Sequence, residues 1–242
     1  MPSTIETGHA VNVQNAKSLI ELCNVLSGYN PSNTALTIAN LNTQQANSKT
    51  ALDTLNSTIA VVKVPVNANE ILFEPLNKLV TRIVSHLDST AASKQIKKDA
   101  RGMADDIRGF NAKRPKNVPD GDWVSQSHQS FVQRTAKFKM LIDLLSTEAL
   151  YVPNEADLQI VSLTALWTSF VASVDGLAPF IAAIETARAA MYHAIYDEEI
   201  GLVDTALKAK KYSKSLTGAS AVEIKAIQGI KFRKLNKKVT PL

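Results

Sequence analysis

In this chain of 242 residues, four histidines and one cysteine are the side chains best suited to metal binding or nucleophilic chemistry. Their spacing limits them severely. Helical bundles hold paired metals with two Glu-x-x-His motifs on facing helices, and Glu6-Thr-Gly-His9 is the single such pair here. His193 and Asp197 stand four apart, on one helix face, but two ligands do not make a site. The plainer reading is a surface hydrogen-bonded pair near a helix end. His128 falls on an apolar seam and reads as a core or boundary histidine; His86 reads as exposed. Cys23 has no partner for a disulfide or thiolate cluster and reads as a small apolar core residue. No G-x-G-x-x-G, no G-x-x-x-x-G-K-[ST] and no G-x-S-x-G occurs, which removes the usual phosphate cradles and the serine elbow. No catalytic residue, metal ligand, cofactor or small-molecule substrate is therefore expected, and the chain reads as non-enzymatic.

Two other features carry more information. Residues 158–184 contain one charged residue, Asp175. Trp167, Phe170, Val171 and Val174 lie in its first half, Gly176 and Pro179 at a predicted turn, and Phe180 beyond it. A helix apolar nearly all round is expected to be covered on more than one face, as the centre of a bundle or in lipid. The five serines and threonines Ser162, Thr164, Thr168, Ser169 and Ser173 argue against a constitutive membrane span, which needs about 20 mostly apolar residues. The pair reads instead as an apolar helical hairpin. In architecture alone, without any shared motif, such a chain resembles α-helical pore-forming toxins, which implies a hairpin hidden until a membrane is met.

The second feature is the C-terminus. From Lys208 onward ten basic residues stand against one acid, Glu223, while the whole chain carries only +5. Lys208, Lys211 and Lys214 recur at helical spacing; Lys231, Arg233, Lys234, Lys237 and Lys238 crowd the end. Such a patch attracts phosphate, on nucleic acid or an anionic membrane. The alternative is a solvated tail that neutralises acidic surface on its own or a neighbouring copy.

The elements that must position these groups are helices. Apolar residues make up 45% and charged residues 20%, and nine glycines and nine prolines are few for this length. Helices are expected over 11–27, closed by Gly28; over 32–62, ended by Pro65; and over 69–110, as one helix or two broken near Ser89-Thr90. The second places Gln45 and Ser48 on its inward face, where they could set register. Leucine at both is expected to raise stability and loosen register. Pro115, Pro119 and Asp120-Gly121 make 111–121 the main loop and best boundary. A helix from Asp122, stapled by Trp123, carries the seam Val124, His128, Phe131, Thr135, Phe138, Ile142, Leu145 and Ala149. Helices over 158–174 and 180–195 follow, then two short ones ending at Gly218 and Gly229, the last opened by a capping box at Ser220 and Glu223. No strand pattern and no internal repeat is evident.

These readings give an all-α fold: an elongated bundle of long antiparallel helices over 1–229 with short C-terminal helices, then a basic tail over 230–242. The expected function is a structural or interaction module, assembling with copies of itself or with another protein through long helical seams. The alternatives are a membrane-active protein using 158–184 and non-specific nucleic-acid binding through the basic C-terminus. The N-terminus has no basic n-region or apolar h-region, so the default location is cytoplasmic, with signal-independent export left open.

Overall fold

The computed structural model describes residues 8–110 and 130–234. Of the described residues 78% are helical and none lies in a strand, as the sequence implied. Nine helices are described: α1 His9–Val25, α2 Ile38–Phe73, α3 Leu76–Ser89, α4 Lys94–Arg108, α5 Phe131–Thr147, α6 Ile160–Asp175, α7 Ala178–Tyr196, α8 Leu202–Ser213 and α9 Ala221–Gly229. The predicted loop at 111–121 and the residues Trp123, Val124 and His128 lie outside the described residues.

The chain divides into two compact units, residues 1–61 with 181–242 and residues 62–180. Both divisions fall inside helices, α2 and α7, rather than at a loop. In the first unit the α1 stripe Val13, Ala16, Leu19, Ile20 and Cys23 is buried, the three-and-four spacing of a helix with one inward face. Leu19, Ile20, Cys23, Leu36 and Leu41 pack with Ala206, Ala209 and Ile227; Val13, Ala16 and Leu55 pack with Met191, Ile195 and Leu202. Ser48, fully buried, donates from Oγ to the Ala194 carbonyl at 3.0 Å, and Gln44 Nε2 donates to the Ala194 and Ile200 carbonyls. Of the two polar residues expected to face inward, Ser48 does so fully; Gln45 is only half-buried, and Gln44 makes the bonds. Gly201 stands where a Cβ would meet the Asp197 amide nitrogen at 2.5 Å, so that position has no room for a side chain.

In the second unit Phe73, Leu76, Val80, Ile83, Leu87, Ala100, Ala104 and Ile107 pack with Phe138, Leu141, Ile142, Leu145, Leu163 and Phe170. Phe170 stacks on Phe73, ring centroids 4.1 Å apart. Ser93 caps α4, its hydroxyl accepting from the Ile96 amide, and Ser130 caps α5 the same way through Gln133. The seam predicted for this helix is buried at Thr135, Phe138, Ile142 and Leu145, so it closes the unit's own core. Ala149 lies past the helix end and is exposed.

Several expectations are corrected. Pro65 does not end its helix: α2 runs through it to Phe73. An interior proline costs about 3 kcal/mol, but Leu55, Val62, Asn69 and Phe73 are buried on both sides of it and hold the helix line. Of the two readings of 69–110, the break near Ser89-Thr90 is the one found. The chain tightens at Glu74-Pro75 and breaks fully at Thr90, and Gly109 closes α4 at φ 78°. The hairpin at Gly176 is absent: Gly176 keeps helical angles (φ −61°, ψ −16°), its amide bonds the Ala172 carbonyl, and residues Ile160–Tyr196 run on as one helix of 37 residues. The basic tail is described as far as residue 234, and this part is held to the first unit. Asn12, 1% exposed, donates to the Arg233 carbonyl (2.9 Å) and accepts from its amide (3.0 Å), Asn15 holds the Lys231 carbonyl, and Phe232 packs into the first unit's core.

An internal repeat is also present. Tyr29, Pro31, Leu36, Ile38 and Leu41 recur with identical spacing as Tyr151, Pro153, Leu158, Ile160 and Leu163. In both copies the tyrosine hydroxyl donates to the leucine carbonyl, at 2.9 and 3.0 Å, and a single 3-10 turn leads into the long helix. α1 and α5, 17 residues each, precede these corners. Their buried positions correspond, Val13 to Thr135, Ala16 to Phe138, Leu19 to Leu141, Ile20 to Ile142 and Cys23 to Leu145. α2 corresponds to α6 with α7, α3 to α8 and α4 to α9. Tyr29 meets Tyr212 of α8 edge-on at 5.3 Å; Tyr151 meets His86 of α3 edge-on at 5.2 Å.

Candidate interaction surfaces

Helices α6 and α7 expose one face along their length. In the second unit Leu163 and Phe170 are buried and Trp167, Val171 and Val174 are half-buried, while Val161 (81% exposed), Thr164, Ala165, Thr168, Ser169 and Ala172 face solvent. In the first unit Ala187, Met191 and Ile195 are buried and Ile181, Ala182, Ala183, Thr186, Ala189 and Ala190 are exposed. Gly176 and Pro179 are exposed and Phe180 is half-buried. The expected cover on more than one face is therefore missing. By length and composition this 37-residue helix could cross a membrane, yet only 11% of its most apolar stretch is buried, so it is not a central core helix. Sequence pattern missed this because alanine, serine and threonine remove charge without requiring burial. Lys139 Nζ sits 5.3 Å from the Trp167 ring centroid, which leaves the indole between core and solvent.

The exposed apolar surface is not confined to that helix. On α2, Val61, Val64 and Ile71 are exposed at 58–70%. The β-branched run of residues 59–66, the closest thing in the sequence to a strand, thus lies within a helix, with Val62 buried and Val61 and Val64 exposed.

The basic residues divide into two groups. Lys208 reaches Asp204 at 2.5 Å and the Glu199 carbonyl. Lys211, Lys214, Lys231 and Lys234 are exposed, and Arg233 holds the strap through its backbone. Lys237 and Lys238 lie outside the described residues. Sequence reasoning missed Lys210: its ammonium donates to the Gln228 and Ile230 carbonyls beneath Phe232, and burial, then the neighbouring Lys214, lowers its pKa. Lys208, Lys210, Lys211 and Lys234 line a cleft of about 280 Å³ with Asp204 and Gln228. The alternation Ile230, Lys231, Phe232, Arg233 was the readable signal for the strap: every second side chain turns toward the core.

His193, Asp197, Cys23 and His9 make local structural contacts. His193 Nδ1 meets Asp197 Oδ2 at 3.1 Å; Asp197 also caps the Glu199 and Ile200 amides, which hold its carboxyl below the usual range, with His193 adding to them. Burial raises the Cys23 thiol pKa to about 11, away from nucleophilic reactivity. Burial pushes His9 below its ordinary value; it bonds the Tyr196 hydroxyl at 2.8 Å. Among the described residues no three histidine, cysteine, aspartate or glutamate side chains stand together to hold a metal ion. No protein-family profile, curated protein or solved structure matches this chain.

Proposed function

We propose that this protein is a non-enzymatic interaction module whose partner packs on the exposed small-residue flank of α6 and α7, and that the partner is a second copy of the chain or another helical protein. The observation that carries the reading is the exposure of the small uncharged side chains Ala165, Thr168 and Ala172 on α6 and Ala182, Ala183 and Ala190 on α7, with Asp175, Glu185 and Arg188 the charged residues of these two helices. Small side chains let two helix backbones approach closely and bury a continuous strip at little cost in side-chain entropy. Sedimentation equilibrium from 1 to 100 µM tests it. The wild type should associate, and Ala172→Arg with Ala183→Arg should hold it monomeric without loss of helicity. A wild type that stays monomeric alone and retains no partner on mild crosslinking in cells overturns the proposal.

A membrane-active second reading is favoured by the same helix being so little buried. Its larger apolar side chains, Leu163 and Phe170, point into the second unit, so insertion requires that unit to open. Leakage of anionic vesicles by wild type and not by Val171→Asp would replace the first reading. Polyanion binding through Lys211, Lys214, Lys231 and Lys234 is the third reading. It predicts affinity that collapses as salt rises. Truncation after Thr217 is a poor test, because it removes Ile227 and Phe232 from the core; Lys211→Glu with Lys214→Glu leaves that core intact.

A further inference from the structure

Among the described residues, every core cluster is shared between the two repeats. In the first unit α1 and the Tyr29 corner come from repeat one, and α8 and α9, which close over them, come from repeat two. In the second unit the origins are reversed: α5 and the Tyr151 corner are closed by α3 and α4. The corner tyrosines show the exchange directly, since Tyr29 packs on Tyr212 and Tyr151 on His86. The hydrogen bonds that tie the long helices are also between repeats, Ser48 to Ala194 in one unit and Asn69 to Ser173 in the other. Neither repeat keeps its own front and back halves together. This is the arrangement of a two-chain dimer with exchanged halves, written here in one polypeptide.

We propose that the two repeats are binding partners in their own right, each completing the other's core, so that the covalent link between them is not needed to hold them together. A covalent link between two partners changes their association by supplying an effective concentration. Cutting it should therefore leave the complex assembled at micromolar concentration and make its stability depend on concentration, which an uncut single chain's does not.

The test places a protease recognition sequence within residues 113–119 of the full chain and cleaves the folded protein, with complete cleavage verified by mass. The expected result is one species with the mass of the intact chain, unchanged helical circular dichroism, and a urea midpoint that falls on tenfold dilution of the cut protein but not of the uncut one. A second measurement separates the fragments in urea and refolds them apart and together. Native helicity and amide protection should return only on mixing. Two outcomes overturn the proposal: either fragment alone refolding to a stable monomer, or the cut protein losing its structure at 50 µM.

Discussion

Replacing Tyr151 with phenylalanine removes one oxygen and leaves the ring in place against His86. Tyr151 is 5% exposed and Leu158 is 3% exposed, so the hydrogen bond between the Tyr151 hydroxyl and the Leu158 carbonyl, 3.0 Å long, is made away from water. Losing such a bond costs about 1–2 kcal/mol at pH 7, a fall of several degrees in Tm for a chain of this size. The phenol also gives the reasoning a pH signature. Burial, helped by the charges of Asp157 and Glu155, pushes its pKa up to about 12. The unfolded phenol ionises near 10, so the folded state keeps its proton where the unfolded state loses it. The tyrosine's contribution is thus complete below pH 10 and is lost as pH rises, by at most about 1.4 kcal/mol per pH unit up to about 12. Urea titrations of wild type and Tyr151→Phe at pH 7, 9, 10.5 and 11.5 should show the wild-type advantage constant to pH 9, then shrinking. A cost under about 0.3 kcal/mol at pH 7, or a gap indifferent to pH through 11.5, would refute the account of the corner. The matching change Tyr29→Phe should act the same way with a smaller cost, because Tyr29 is only half-buried. The double variant should be near the sum of the two, since the sites share no partner.

Other perturbations follow from the same contacts. Asn12→Ala removes both bonds to Arg233, and amide exchange at Arg233 should lose at least tenfold protection while α5 keeps its own. His9, held below its ordinary pKa by burial, favours folding fully above pH 6.5 and less as pH falls below it; melting curves should show that acid slope, and His9→Phe should flatten it. Phe170→Ala, at a site with no exposed surface, should cost about 3–5 kcal/mol by chemical denaturation. Leucine at position 48 should destabilise by about 1–3 kcal/mol, the reverse of the sequence expectation, because Ser48 is fully enclosed and bonded to the Ala194 carbonyl.

The helical class, the stripe of α1, the inner face of α5 at Phe138, Ile142 and Leu145, and the capping box at Ser220 were all legible in the sequence. Each depends on side chains within two turns of one another, where spacing alone decides which face is apolar. Where helices end was less legible. Pro65 is a local signal for termination, but burial of Val62 and Asn69 around it is a tertiary fact that outweighs it. The repeat stayed hidden because few identities survive outside the Tyr-x-Pro corner; the correspondence lies in which positions are buried, and burial is not written in residue type. The apolar stretch of α6 and α7 is the sharpest case. Its composition determined that Asp175 alone would carry charge within 158–184 and that a helix would form. Whether one face or all of it meets the core depended on how many neighbours pack against it, and that is a property of distant segments, α5 for α6 and the first-unit core for α7, that no local pattern can report.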